Sequence, residues 1–473
     1  MQDVLNQLVR SLSLRGLEWL RQRIMDLPAP CPADHPDIGA LAFAGRVAPI
    51  LSGYYGRISP LEVIVLRRLS SELVQGAALR VLEGERDQVT LDLVLAGRMV
   101  TPADPLWQLA CEAIADDSTL PLATRLSLSD EADLWVIAER AVTMPTHHID
   151  ADYITATTQL LMQMYQHGAS RPRLSHPSAF NTIFANLQRM ATWAVRNKCT
   201  RSIARAAFCL RLVDPEHDLD EYVAELIQIQ RPDGSFPARL GFSTVDQDFG
   251  TGVVPTLLVA MALHSATCRR WKGPALRSAP DNPMRGVAKH CADMAAKILA
   301  DNTPTLSEAA LMTRATGRDW IGPISANHSS LTQRQSQELA GLCFRDPISA
   351  RHIRTHLRLP DIIPGRGRCR VEGDWLRGKP VTIGDPEPKA LLALWNRAAM
   401  MGDQAAFMRC ARIALHFQPQ RTTPQIRAMA RQIATTALLL CDKATRDQIM
   451  QSLEQITLLA QLFEPRQQLE AAA

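Results

Sequence analysis

The sequence predicts an all-α protein, and three observations support this prediction. Apolar residues recur at spacings of three and four along most of the 473 residues, which is the period of one helix face. Leu, Ala, Arg, Gln and Met, which favour helices, are frequent. Alternation of β-branched and aromatic residues is nearly absent, and the one strand-like segment, residues 88–95, reads equally well as a helix start.

Prolines, glycines and capping residues divide the first part of the chain into helices. A first helix covers residues 1–30 and ends at Pro28 and Pro30. Ser59-Pro60-Leu61-Glu62 combines an N-cap serine, a first-turn proline and a glutamate three residues after the cap, which predicts a helix from there to about Leu82. Further helices are predicted at residues 38–51, 89–97, 104–116, 121–126, 130–143, 150–167, 178–197, 200–213, 218–230 and 251–267.

Two long irregular segments, residues 272–285 and 359–388, interrupt the remainder of the chain. Helices are predicted at 285–301, 305–315, 331–344 and 347–357, with helix pairs at 388–417 and 423–463. Roughly twenty helices joined by short loops are typical of an α-solenoid or a closed α/α toroid. The predicted regions are an N-terminal helical region (1–128), a toroid-like helix-pair region (129–271), further helix pairs (285–358), a basic irregular loop (359–388) and a C-terminal helical region (389–473).

Composition excludes several classes of function. The net charge of +4, with 52 basic and 48 acidic residues, is too small to predict nucleic-acid binding. The chain has no uninterrupted run of 18 apolar residues and no apolar signal segment at its start, so we expect no membrane span. The ten cysteines are scattered without a Cys-x-x-Cys pair, which favours reduced thiols in the cytoplasm.

The segment EYVAELIQIQRPDGSF carries a family resemblance. Its Tyr222, Leu226, Gln230, Gly234 and Phe236 resemble the repeat of terpenoid cyclases in which an aromatic residue, a leucine and a glutamine precede Gly-x-Trp, with Phe236 at the tryptophan position. The turn is also similar to that of protein prenyltransferase β subunits. The resemblance implies a toroid in which Gln230 bonds the adjacent turn, Gly234 takes a positive φ and the Phe236 ring packs under the next helix.

A second pattern occurs twice, 96 residues apart. Asp246-Gln-Asp248-Phe-Gly-Thr-Gly and Asp150-Ala-Asp152-Tyr-Ile-Thr-Ala both read Asp-x-Asp-aromatic-x-Thr-small before or at a helix start. This resembles the Asp-x-Asp-Asp-Thr-Ala motif of class II terpenoid cyclases, whose third-position aspartic acid protonates the substrate. The resemblance implies Asp248 or Asp152 as the acid, although the fourth aspartate is replaced by an aromatic residue. The alternative is that these aspartates cap helices.

Other residues are candidates for a site. His147 and His148 lie beside Asp150 and Asp152, where a histidine could act as an acid, a base or a ligand. Pairs drawn from Asp150, Asp152, Asp246 and Asp248 would also suit a glycoside hydrolase, but aromatic residues, at 5%, are few for a sugar-binding groove. Among the nine basic residues of segment 345–380, we expect Arg366, Arg368 and Arg370 to bind an anionic ligand or partner.

Metal chemistry is not expected, because no Asp-Asp-x-x-Asp motif is present and the nearest zinc-like cluster, His290, Cys291 and Asp293, places neighbours on different helix faces. Two functions therefore remain. The first is a biosynthetic protein of natural-product type, acid-catalysed or not, that holds an apolar or peptide ligand in a toroid cavity without a cofactor. The second is a non-catalytic helical scaffold that binds a partner protein or peptide.

Overall fold

The computed structural model describes residues 2–55, 58–129, 132–144, 148–239, 248–267, 282–300, 304–320, 386–417 and 422–463. These residues form nineteen α-helices and no β-strand, so the all-α prediction is confirmed. By its internal contacts the chain divides into two compact units, Met1–Ala279 and Pro280–Ala473. The predicted regions 1–128 and 129–271 both lie in the first unit.

The described part of the first unit contains thirteen α-helices, most of them within a few residues of the predicted bounds. They are α1 (Gln2–Met25), α2 (Ile38–Tyr55), α3 (Pro60–Arg68), α4 (Ser71–Glu83), α5 (Gln88–Val100), α6 (Pro105–Asp116), α7 (Leu122–Leu126), α8 (Ala132–Thr143), α9 (Ala151–Met164), α10 (Pro177–Arg196), α11 (Thr200–Val213), α12 (Asp220–Ile227) and α13 (Phe249–Thr267). A turn of 3₁₀ helix, Gln166–Gly168, follows α9.

The helix predicted from Ser59 to about Leu82 is two helices, which corrects the prediction. Its start is as expected, because the Ser59 side chain accepts a hydrogen bond from the backbone N–H of Glu62 and Pro60 occupies the first turn. However, α3 ends at Leu69, whose backbone is extended, and Ser70 caps α4 by accepting a hydrogen bond from the N–H of Leu73. Ser70 is therefore a capping residue.

The turn after α12 has the three features that the resemblance implies. The Gln230 amide donates hydrogen bonds to the carbonyl oxygens of Gly234, at 2.9 Å, and Leu12, at 2.8 Å. Gly234 has a φ of +98°. The Phe236 ring is fully buried, and its backbone N–H donates to the hydroxyl of Thr256 on α13, at 3.0 Å. The turn thus ties α1 to α13.

Six helices of the first unit, which we call the central helices, are linked by packing contacts and one hydrogen bond. Helix α13 packs against α2 and α11, α2 packs against α5, and α9 packs against α7 and α11. Between α5 and the residues after α7, Arg98 donates a hydrogen bond of 2.7 Å to the carbonyl oxygen of Ser127. Helices α1, α4, α6, α8, α10 and α12 pack against members of this group.

Helix α13 is the most apolar helix of the group. Among the described residues it alone is long and apolar enough to cross a membrane, but 72% of the apolar stretch is buried inside the protein. Its glycines, threonines and Pro255 interrupt the apolar run, which is why the criterion of 18 consecutive apolar residues did not select it. Its contacts with α1, α2 and α11 cover its apolar side chains.

The described part of the second unit contains six helices, α14 (Pro283–Ala300), α15 (Leu306–Thr316), α16 (Pro386–Met400), α17 (Gln404–Phe417), α18 (Pro424–Leu440) and α19 (Arg446–Leu462). Helices α14 and α19 pack against each other and against α15 and α18. A bidentate ion pair joins Arg446 to Glu308, with N–O distances of 2.7 and 2.6 Å. The predicted helices 331–344 and 347–357 lie outside the described residues.

We expect Gly234→Ala to destabilise the protein. An added Cβ would lie 2.7 Å from the Arg15 carbonyl oxygen, and the positive φ disfavours any side chain, so the expected loss is at least about 1–2 kcal/mol. The control is Gly76→Ala in α4, where nothing lies within 4 Å of the added Cβ, and this change should stabilise by about 0.5–1 kcal/mol. Urea denaturation measures both values, and equal effects would contradict the assigned role of the turn.

Candidate functional site

Asp248 directly precedes α13, where the resemblance implies an acid. Its carboxylate accepts hydrogen bonds from the hydroxyl and the backbone N–H of Thr251, at 2.7 and 2.9 Å. The side chain is exposed, and the bond from the Thr251 hydroxyl is the main reason that the pKa of Asp248 is lowered. A general acid that works near neutral pH needs a raised pKa, whereas these features are those of a helix cap.

Asp150 has a similar position at the start of α9. Its carboxylate accepts a hydrogen bond of 2.7 Å from the backbone N–H of Tyr153, which lowers the pKa of Asp150. His148 lies beside it, with 3.2 Å between Nε2 and the carboxylate oxygen, and the two side chains are 86% and 47% exposed. Asp152 is exposed in the first turn. The capping aspartate thus occupies the first position of the motif at α9 (Asp150) but the third position of the motif at α13 (Asp248).

The remaining predicted site residues lie outside the described part of the chain: Asp246, His147, Arg366, Arg368 and Arg370. Of the predicted catalytic residues, the structure brings His148 and Asp150 together. In the zinc-like cluster Cys291 is buried while His290 is exposed, as expected for neighbours on different helix faces. Within the described ranges, no three His, Cys, Asp or Glu side chains are grouped so that they could hold a metal ion.

A cavity of about 100 Å³ lies among the central helices, and each of the six contributes residues to its wall. One water molecule needs roughly 10–15 Å³ of such space, so the cavity has room for a small ligand or several waters. Its apolar lining is Phe43, Val47, Pro49, Ile50, Leu95, Ala123, Met162, Leu258 and Met261. Its polar lining is Arg46, Arg98, Thr124, Ser127, Gln159, Gln163, His167 and Arg205.

Arg46, on α2, lines the cavity and pairs with a carboxylate. Its Nη1 lies 2.8 Å from the buried Asp92 on α5, and Asp92 also accepts a hydrogen bond from Gln88. The guanidinium carbon lies 5.0 Å from the centre of the Phe43 ring, a cation–π distance. Burial raises the pKa of Asp92, while the charge of Arg46 opposes that shift.

Arg46 and Arg98 follow the same dipeptide, Ala-Gly, on α2 and α5. A Cβ added at Gly45 would lie 2.9 Å from the Ala96 Cβ, so this glycine allows α2 and α5 to approach closely. A Cβ added at Gly97 would lie 2.5 Å from Trp107 and Val74. Gly45 therefore lets the two arginine-bearing helices pack closely, whereas Gly97 makes room on α5 for Trp107 of α6 and Val74 of α4.

Arg205, on α11, is buried and has no acidic partner. Its residue exposure is 7%, and within the described part of the chain its guanidinium has neither a hydrogen bond nor an ion pair. Burial, together with repulsion from Arg46, lowers the pKa of Arg205 to about 10. Below that pH the charged form makes the fold less stable by roughly 3 kcal/mol, on the scale of about 1.4 kcal/mol per pKa unit.

His167 borders the cavity from a strained turn. It and the preceding Gln166 have φ values of +51° and +44°, a left-handed backbone that is rare for residues other than glycine. Such strain often accompanies functional sites. The ring is buried, Nε2 lies 3.3 Å from the Gln163 amide nitrogen, and Nδ1 has no hydrogen-bond partner. Burial lowers the pKa of His167 to about 3, so the ring is neutral.

The arginines of this cavity and His167 were not predicted as site residues from the sequence. The available signal was an isolated arginine inside an apolar helical run, which occurs in Ala-Gly-Arg46-Val-Ala, Leu-Ala-Gly-Arg98-Met and Ile-Ala-Arg205-Ala-Ala. Single arginines in helices are usually at the surface. The three-dimensional order of the central helices is what reveals that these three share a cavity.

Comparisons with known proteins add no assignment: no protein-family model, no curated protein and no solved structure matches the chain.

Asp248→Asn should leave the free energy of unfolding within about 0.5 kcal/mol of the parent, because asparagine is as good an N-cap as aspartate. Asp248→Ala removes the carboxylate that accepts the hydrogen bonds from Thr251. It should lower the free energy of unfolding by about 1 kcal/mol. Urea denaturation at neutral pH measures both. A variant Asp248→Asn that keeps its stability but loses a measurable turnover would instead support the acid assignment.

His167 should make the fold sensitive to mild acid. Because its pKa in the folded state, about 3, lies below the ordinary 6.5, the unfolded chain takes up the proton first and stability falls as pH drops below 6.5. Between pH 6.5 and 5 the expected loss is about 2 kcal/mol. His167→Asn, which tolerates the left-handed backbone, should remove this part of the pH dependence. Urea denaturation of the parent and of His167→Asn at pH 6.5 and pH 5 measures this loss of stability. An equal loss in the two proteins would contradict the assignment.

Proposed function

We propose that the first unit is a ligand-binding domain that holds a small, partly apolar organic molecule in the cavity among its central helices. The observation that carries the proposal is the cavity itself, because all six central helices border it and its lining combines nine apolar with eight polar residues. Small-molecule sites in proteins are typically concave and mostly apolar, with a few polar groups that orient the ligand.

The α/α toroid is part of this proposal. The contacts that link α5, α2, α13, α11, α9 and α7 in this order support it, together with the Arg98–Ser127 hydrogen bond between α5 and the residue after α7 and the Gln230–Gly234 hydrogen bond of the turn. In such an arrangement the ligand site lies between the inner helices, and the cavity among the six central helices supports this part of the proposal. A role in natural-product biosynthesis follows by analogy with the terpenoid cyclases and rests on that resemblance alone.

Acid catalysis by Asp248 or Asp152 is not required by the proposal. Neither residue, nor Asp150 or His148, is among those that line the cavity. The lowered pKa of Asp248 also disfavours the protonated form that an acid would need. Binding of the ligand is therefore the function proposed, and conversion of the ligand would need groups other than these carboxylates.

The scaffold function remains as the alternative because α8 and α10 expose apolar side chains. Val136 and Ile137 on α8 are 66% and 53% exposed, and Phe180 on α10 is 39% exposed. The two helices contact each other, and exposed apolar groups of this kind are common in protein interfaces. A partner protein that co-purifies in a fixed ratio, without any bound small molecule, would favour this alternative.

Native mass spectrometry of the purified full chain tests the proposal. We expect a bound small molecule that is released on denaturation and is lost in Ala123→Leu, because Ala123 is buried in the cavity wall and leucine would fill the space. The matched control is Ala156→Leu on the exposed side of α9, which should keep the ligand. Binding that is unchanged in Ala123→Leu would place the ligand elsewhere and overturn the proposal.

A further inference from the structure

We infer that the cavity binds a short organic acid, in which a single carboxylate is joined to an apolar chain. The inference rests on the proposed function and specifies its ligand class. Three observations carry it: a buried arginine in the cavity wall, Arg205, that has no acidic partner among the described residues, the apolar side chains that share this wall, and the size of the cavity.

Arg205 indicates that the ligand is an anion. A guanidinium has five N–H donors and accepts no hydrogen bond, so it needs acceptor oxygens when it is buried. Within the described part of the chain this guanidinium has neither a hydrogen bond nor an ion pair, although the residue is only 7% exposed. Buried polar groups in folded proteins are nearly always paired, so a buried arginine that lines a cavity points to an anion as its partner.

The described residues around Arg205 supply no counter-charge. Its cationic neighbours, Arg46 and Arg201, repel it. Cys209, one turn further along α11, would attract it only as a thiolate, and burial raises the pKa of this thiol far above its usual value, so the thiol stays neutral. The carboxylate of Asp92 forms its ion pair with Arg46. A ligand in the cavity is therefore the source of negative charge that suits this arginine.

A carboxylate matches both the shape and the charge of one guanidinium. Its two oxygens accept two parallel N–H bonds from the planar fork of an arginine, and its one negative charge balances that of Arg205. Gln159 on α9 and Thr124 on α7 also line the cavity, and their amide and hydroxyl groups are further donors for an anion. An alcohol would leave the charge of Arg205 without a partner, and an amine would add a second positive charge.

The apolar lining indicates what the carboxylate is attached to. Leu258 and Met261 on α13, Met162 on α9 and Ile50 on α2 line the same cavity as Arg205. A small ion such as acetate would leave these side chains against water, whereas a hydrocarbon chain would cover them and remove apolar surface from water. Methionine side chains are flexible, so they adapt to chains of different shape. The site therefore favours an acid with an apolar chain.

The size of the cavity limits the length of that chain. Its volume is about 100 Å³, and one water molecule needs roughly 10–15 Å³ of such space, so roughly seven to ten groups of that size fit. Longer chains would extend beyond the cavity. Hexanoate is an acid of the fitting size and is therefore a suitable probe.

Isothermal titration of the full chain at neutral pH with hexanoate, hexanol, hexyl phosphate and acetate tests the inference. The first three share one chain and differ in their head group, while acetate keeps the carboxylate without the chain. We expect hexanoate to bind at least about tenfold more tightly than hexanol or acetate, because charge-assisted hydrogen bonds and apolar contacts act together. Hexyl phosphate should also bind more weakly than hexanoate, because Arg205 balances one negative charge and burial of a second is unfavourable.

Arg205→Met tests the residue that carries the inference. The preference for hexanoate over hexanol should fall about 10- to 100-fold in this variant, because hydrogen bonds to a charged group are lost for the acid and not for the alcohol. The matched control, Arg201→Met, lies one turn earlier on the same helix, is exposed and should keep the preference of the parent.

A purely structural role for Arg205 would change the stability of the variant without changing this preference. If Arg205→Met does not fold, Arg205→Lys keeps the charge but loses the planar fork, and should still lower the preference for hexanoate measurably. An unchanged preference in whichever of these variants folds overturns the inference. If neither folds, the comparison of hexanoate with hexanol on the parent decides it.

The outcomes separate this inference from the proposed function. Hexanol or hexyl phosphate that binds as tightly as hexanoate overturns the carboxylate but leaves a ligand-binding cavity. Equal binding of acetate overturns the apolar chain. If none of the four probes binds, the inference fails, and the mass of the co-purified molecule, with its loss in Ala123→Leu, still decides the proposed function independently.

Discussion

The packing of α13 is the constraint on which the first unit depends. This helix contacts α1, α2 and α11 at once, and most of its side chains are buried. The turn before it adds a polar connection, since Gln230 joins α1 to the turn and Phe236 joins the turn to Thr256. Helix α13 packs against the central helices α2 and α11, while the hydrogen bonds of the turn connect it to α1.

The cavity opposes the stability that this packing provides. A buried arginine without a partner and a neutral histidine on a strained turn both raise the free energy of the fold, and neither improves its packing. Sites that must recognise a ligand commonly keep such unfavourable groups, because the ligand later compensates them. At Arg46, by contrast, the protein supplies the counter-charge itself, because Asp92 forms an ion pair with this arginine. Arg46 and Arg205 thus differ in that the described residues supply a carboxylate partner for Arg46 but none for Arg205.

Local patterns predicted local structure well and the site poorly. The Ser59 cap and the positive φ of Gly234 followed from short-range chemistry, because each depends on residues within a few positions. The break at Ser70 was missed because a helical apolar period continues across it. Arg201 and Arg205 lie four residues apart on one helix, yet one is exposed and the other buried. That difference depends on helices distant in sequence, which periodicity does not describe.

The contact between α2 and α13 has a consequence for how the chain folds. Roughly 200 residues separate these two helices, so the contact that completes the order of the central helices is also the most distant in sequence. Closing such a long loop is entropically unfavourable and slows folding, and it cannot happen before α13 has left the ribosome. Until then the apolar faces of α2 and α11 stay without their partner. Association with chaperones or aggregation of truncated chains should therefore be most pronounced just before α13 emerges.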